Sequence, residues 1–241
     1  MNDETNGTQA IAPLASPEGL EDVYENDVVL PRYAAVQPTS QEGTPGTFRS
    51  NLTGEERSEL RLVPLRIQRG RVLWSDTLGA DPVCKSNDGF HPSPAVDAPV
   101  NEACSTVAGR RLRPVCPMAQ WQRTRIEGGP AKDERPKCRE TYAMIALDLE
   151  SETPFLVSFS GTGLRAVRVL RTVLFQKKLG LGEASTTLKL RRETNGKGAY
   201  YVPEFADVKA VEPAGKYRAS RERFRGYEVG AENGEIDDTP F

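Results

Sequence analysis

The stretch "ETYAMIALDLESETPFLVSFSGTGLRAVRVLRTVLFQKKLG" (140–180) carries two strand patterns and one helix pattern in direct succession. In its first eleven residues Ala143, Ile145, Leu147 and Leu149 recur at every second position, the period of a strand. "PFLVSFS" (154–160) follows a short Glu-Ser-Glu-Thr turn, which predicts a hairpin. The period then changes to that of a helix, starting at Ser160 or Thr162 and stopping at Gly180. Leu164, Val167, Leu170, Val173 and Leu174 form its apolar stripe, while Arg165, Arg168 and Arg171 lie off it.

Working outward, "ELRLVPLRIQRGRVLW" (59–74) alternates around Pro64, with Leu60 and Leu62 before it and Leu65 and Ile67 after it. Proline removes a ladder donor, so this strand is expected to carry a bulge or an edge there. "STTLKLRRE" (185–193) and "AYYVPEFADVKAV" (199–211) read as two strands joined by the Asn-Gly turn of "TNGKG". Strand, insertion, strand, strand, helix, strand, strand is the element order of an OB-fold. Other small α+β domains share it. The expected class is therefore mainly β (α+β): an OB-like five-stranded barrel with one helix and a cysteine-rich insertion, 75–139, between its first two strands. The expected organisation is an acidic disordered segment at 1–27, an OB-like domain at 28–212 and a flexible tail at 213–241.

Charge is unevenly spread along the 241 residues. Residues 1–27 hold seven acids and no base, and 228–241 hold five acids and no base. All 32 Lys and Arg lie in 28–227 against 22 acids, so a net charge of −2 conceals a body at +10. Such a body attracts polyanions, although a solvated surface with polar tails has the same composition. No apolar run is long enough for a membrane span, and the acidic "MNDETNGTQA" start lacks the form of a leader, so a cytoplasmic protein is expected.

Cys84, Cys104, Cys116 and Cys138 are the only cysteines, and they fall within the Pro-, Gly- and Arg-rich insertion. An insert of that length without periodicity needs something to hold it together. Four thiolates suit a structural Zn2+, which takes soft ligands in a closed tetrahedron. The spacing contains no CxxC knuckle, so unrelated buried thiols or disulfides stay open as alternatives. His91, the single histidine, could stand in for one ligand. Asp76, Asp81 and Asp88 flank the insertion and are read as turn formers rather than Mg2+ ligands.

Single-stranded nucleic acid requires cations along the backbone path and aromatic faces for bases. Arg66, Arg69 and Arg71 lead to Trp74, and Arg110, Arg111 and Arg113 lead to Trp121, with Arg123 beyond it. Lys189 and Arg191 lie one hairpin turn from Tyr200 and Tyr201. These are the candidate nucleic-acid contacts. Phe155, Phe159 and one of the two tyrosines are assigned to the core, because neighbouring strand residues face opposite ways. No Walker loop, nucleophile elbow, HExxH or paired-carboxylate motif occurs, and no catalysis is expected.

The final residues, "GEIDDTPF", resemble the acidic tip of bacterial single-stranded DNA-binding proteins through Asp237, Asp238, Pro240 and Phe241. Thr239 stands where that family has an aliphatic residue. The resemblance implies that Phe241 anchors the tip in a partner's pocket while the aspartates meet basic residues, recruiting replication or recombination proteins. The body, through "LVPL", "CKSNDG", "CPMAQW", "PKC" and "KGAYYVPEF", is similar to a group of tailed-phage proteins. Together these imply a phage single-stranded DNA-binding protein acting in DNA replication or recombination in an infected bacterium. The rival expectation is a zinc-braced adaptor that binds a host enzyme without touching DNA.

Overall fold

A computed structural model describes residues 29–75, 82–94, 103–109, 111–124, 132–196 and 198–227. The chain divides between Leu30 and Pro31, and the larger unit, Pro31–Phe241, holds every strand and helix given below. It opens with β1 (Arg32–Ala35), β2 (Phe48–Ser50), β3 (Glu56–Arg57) and the long β4 (Glu59–Leu73). Among its described residues the cysteine-bearing region supplies short strands: β5 (Cys84–Ser86), β6 (Ser93–Pro94), β7 (Ser105–Ala108), β8 (Arg111–Pro114), β9 (Gln122–Thr124) and β10 (Lys132–Glu134). Then come β11 (Cys138–Asp148), β12 (Pro154–Ser160), α1 (Gly163–Lys177), β13 (Ala184–Asn195), β14 (Gly198–Ala210) and α2 (Arg218–Arg223).

The protein is mainly β. Its principal sheet runs β14-β13-β4-β11-β12-β1-β2-β3 and curls into a half-barrel, with β5 and β6 attached to the side of β4. The pairs β7-β8 and β9-β10 form two separate hairpins. The expected hairpins between β11 and β12 and between β13 and β14 are both present and antiparallel.

The proline in β4 does what its chemistry requires. Register against β11 passes from Arg66 opposite Ile145 to Pro64 opposite Ala146, leaving Leu65 as an extra residue. That bulge reverses the alternation, so Leu60 and Leu62 share the main core with Ile67 rather than with Leu65. Leu65 is buried on the opposite face.

The strand of 140–150 differs from expectation in the face it gives to the core. Tyr142, Met144 and Ala146 enter the main core, while Ile145 and Leu147 are buried outside it. β11 is an interior strand covered on both sides, and in such a strand alternation of apolar residues does not single out one face. The helix closes the main core with Val167, Leu170 and Leu174, and Phe155 and Phe159 lie within the same cluster, as expected.

α1 ends earlier than Gly180. Lys178 adopts the left-handed conformation at φ 55°, and its N–H meets the carbonyls of Leu174 and Phe175. The Leu179 N–H reaches Leu174 O at 3.0 Å, completing a C-terminal cap without glycine. Gly180 instead gives its N–H to the Glu183 carboxylate at 2.7 Å.

α2 lies within 213–241, the stretch expected to be a flexible tail. It is flanked by Tyr217 and Phe224, both buried, and the Arg66 guanidinium donates to the carbonyls of Phe224 and Arg225.

Candidate nucleic-acid interface and cysteine lobe

The C-terminal half of β4 organises the cysteines. Leu73 lies opposite Cys84 on one side and Cys138 on the other, so two thiols 54 positions apart in sequence flank one leucine on one face. Gly70 makes the attachment of β5 possible, because a Cβ there would fall 2.8 Å from the Ser86 carbonyl oxygen. Cys104 ties in the rest of the lobe. Its N–H donates to Phe90 O at 2.7 Å, and its carbonyl accepts from Val115 and Cys116 at 3.1 and 3.3 Å.

All four cysteines are free thiols; three are buried and Cys116 is partly exposed. They lie close enough to act electrostatically on one another. Burial is the main cause that raises the Cys84 and Cys104 thiols, and it pushes Cys138 up to about 12. Neighbouring thiols add to the rise, while the Arg71 guanidinium pulls Cys104 and Cys138 the other way. Metal-free, Cys84, Cys104 and Cys138 are neutral thiols.

Arg71 is the unexpected member of this lobe. It is only 7% exposed, and its Nε is buried without a hydrogen-bond partner. A buried guanidinium with an orphaned donor beside the Cys104 and Cys138 thiols fits a ligand set that carries negative charge. The donor chemistry therefore suits zinc. Among the described residues, however, no three His, Cys, Asp or Glu side chains converge on one point where an ion would sit.

His91 is exposed and its Nδ1 pairs with Asp88 at 2.5 Å. Asp88 builds its turn by accepting from the N–H groups of Phe90 and His91 at 2.6 and 2.8 Å and from the Ser86 hydroxyl at 3.1 Å. Burial alone would raise its carboxyl, but these bonds and His91 hold it at about 2. Asp76 and Asp81 lie outside the described residues.

The predicted nucleic-acid contacts separate into several places. Arg66 is spent on the carbonyls after α2, and Arg71 is enclosed in the cysteine lobe. Trp74 is partly exposed, with its indole N–H buried and unpartnered. Arg111 and Arg113 are exposed on β8, and Trp121 beyond it is 65% exposed. Arg123 is exposed and faces Asp133 at 3.9 Å. On the β13-β14 hairpin, Lys189 pairs with Glu59 at 3.2 Å, and Arg191 with Glu193 and Glu204 at 2.7 and 3.2 Å. Tyr200 donates its hydroxyl to Glu193 at 2.8 Å, while the Tyr201 ring covers Gly46. Both tyrosines are half-buried, so neither is a plain core residue. Arg110 and the tip residues Asp237, Asp238, Pro240 and Phe241 lie outside the described residues.

Arg69, a predicted contact, lies instead in a further basic group with Arg168 and Arg171, which were not among the sequence candidates. Glu140 accepts from Arg69 Nε at 3.1 Å and from Arg168 at 2.9 Å, so one carboxylate serves two guanidiniums. The Tyr142 ring has Arg69 5.5 Å from its centroid and Arg171 5.3 Å from it, and its hydroxyl accepts from Arg69 at 2.9 Å. The legible signal was that Gly161 to Gly182 contains no acid at all.

A curled, mainly β body with a cysteine lobe and arginine-rich surfaces defines the class at the level of architecture. The chain belongs to the Pam3 phage gp34-like protein family, whose model matches residues 8–231. No curated protein and no solved structure matches it. Among the described residues no helix is long and apolar enough to cross a membrane.

Proposed function

We propose that this is a phage single-stranded DNA-binding protein that acts in replication or recombination in the host cell and performs no catalysis. The observation that carries the reading is Trp121, a 65% exposed indole two residues before the exposed Arg123, which faces Asp133, on a lobe that also carries exposed Arg111 and Arg113. An indole so exposed contributes little to folding. Beside guanidiniums it offers a stacking face next to phosphate partners.

The strand order supports an OB-like reading of the body. With β4, β11, β12, β13 and β14 as first to fifth, the neighbours run 5-4-1-2-3, and α1 lies between third and fourth. This is the neighbour order expected of an OB barrel opened between its third and fifth strands, with β1 added at the edge of β12. In this reading four cysteine thiolates hold a structural Zn2+ that braces the insertion, and Arg71 offsets part of its negative charge. The Asp237, Asp238, Pro240 and Phe241 tip recruits partner proteins.

A titration of fluorescent oligo-dT and of a matching duplex at two salt concentrations tests the proposal. Tight binding that prefers the single strand and weakens with salt is expected. Absence of binding at low salt overturns it. A second reading, a zinc-braced adaptor that binds a protein, is favoured by Val107, Val115 and Met118, which lie exposed on the same lobe as Trp121.

A further inference from the structure

One exposed side of α1 and its cap joins cations to an exposed ring. Arg168, Arg171, Phe175 and Lys178 follow one another at spacings of three and four, which sets them along one side of the helix and its cap. Arg168 shares the Glu140 carboxylate with Arg69, so the group retains an excess of positive charge. Arg171 lies over the Tyr142 ring, 5.3 Å from its centroid, with no carboxylate partner among the described residues. Phe175 is 84% exposed, the highest of the large apolar residues among the described ones. The rise from Arg168 to Phe175 is roughly 10 Å, enough for one to two nucleotides.

We infer that α1 is a second contact surface for single-stranded nucleic acid, resting on the function proposed above. The backbone phosphates lie on Arg168 and Arg171, and one base stacks on Phe175. A helix serving only to close the core would require Val167, Leu170 and Leu174 on its inner side and would place no demand on its outer side. An exposed phenyl ring flanked by cations is what a strand needs, since every base has a face to stack and every link a phosphate. Duplex DNA offers no free base to Phe175, so the surface discriminates by strand state. It packs beside β14 of the β13-β14 hairpin, so it adds to the surface that hairpin offers a bound strand.

The test uses the full-length protein, fluorescent oligo-dT, and the variants Phe175→Ala and Arg168→Ala/Arg171→Ala. Phe175→Ala is expected to weaken binding by at least about five-fold, the lower end for one stacked base. The double arginine variant is expected to flatten the log–log salt dependence by about 1.4, two contacts at about 0.7 each for single strands. Phe175 is so exposed that its variant tests the surface even if the arginine pair proves necessary for folding, which a thermal melt reports. If wild type binds oligo-dT and both variants match it in affinity and salt dependence, the α1 surface is excluded while the general function stands. If wild type itself fails to bind, both fall.

Discussion

Gln37 and Tyr201 exchange two hydrogen bonds across the opening of the curled sheet. The Gln37 amide donates to Tyr201 O at 2.9 Å, and the Tyr201 N–H donates to Gln37 Oε1 at 2.8 Å. A side-chain amide here takes the place of a strand's peptide group. It ties edge strand β14 to the turn after β1, where no ladder connects them. Gly46 permits the approach: at φ +93° and with the Tyr201 ring against it, a Cβ would fall 2.7 Å from ring carbon.

Replacing Gln37 with Leu keeps the volume of the buried side chain but removes both partners of Tyr201. Each lost partner of a half-buried peptide group costs on the order of 1–2 kcal/mol. The expected result is a melting temperature lower by several degrees and faster amide exchange at Tyr201. An unchanged melt and unchanged protection would show that the sheet holds its curl without this bridge.

How far the sequence disclosed this arrangement varies with the physics involved. The bulge at Pro64 was legible because proline lacks a donor, and the apolar stripe of α1 because its period is local. The main-core face of β11 was not, since Ile145 and Met144 are both fully buried and alternation carries no sign in a strand covered twice. Arg71 looked like its neighbours Arg66 and Arg69 in sequence. Only the pairing of β4 with β5 and β11 encloses one, leaves another beside Tyr142 and turns the third toward α2. Such long-range register is what a single sequence withholds.

Asp148 makes stability depend on acid pH. Its side chain is 4% exposed, and Arg57 meets it at 2.5 Å. Burial by itself would raise its carboxyl, but N–H donors from Ser151 and Glu150 together with Arg57 hold it below the ordinary value of 3.8. A depressed folded value means that the stabilisation is present above the unfolded value and is lost as pH falls through the folded one. Asp148→Asn is therefore expected to melt lower at neutral pH and to show a flatter loss of stability below about pH 4. Parallel melting curves for the two proteins across that range would contradict this.

The acidic residues of 228–241 compete with nucleic acid for the basic body in the proposed function. Removing them takes away five acids and no base. Deletion of 228–241 is expected to raise oligo-dT affinity several-fold at low salt and to change it little at high salt, where screening already suppresses the competition. Equal affinity at low salt would count against any contact between the tail and the binding surface.

The proposed zinc would make a sharper demand on the cysteine lobe than burial alone. Without metal, Cys138 must stay a neutral thiol, pushed up to about 12, beside an Arg71 whose Nε has no partner. With four thiolates on Zn2+, the guanidinium faces negative charge and the lobe gains a cross-link spanning 84 to 138. Purified protein is then expected to contain close to one zinc per chain, and Cys104→Ser to contain markedly less. Chelation should lower the melting temperature of wild type more than that of Cys104→Ser. Metal analysis of both proteins, with melts before and after chelator, checks it. A metal-free wild type whose melt ignores chelator would leave the four cysteines as buried thiols holding the lobe by packing alone.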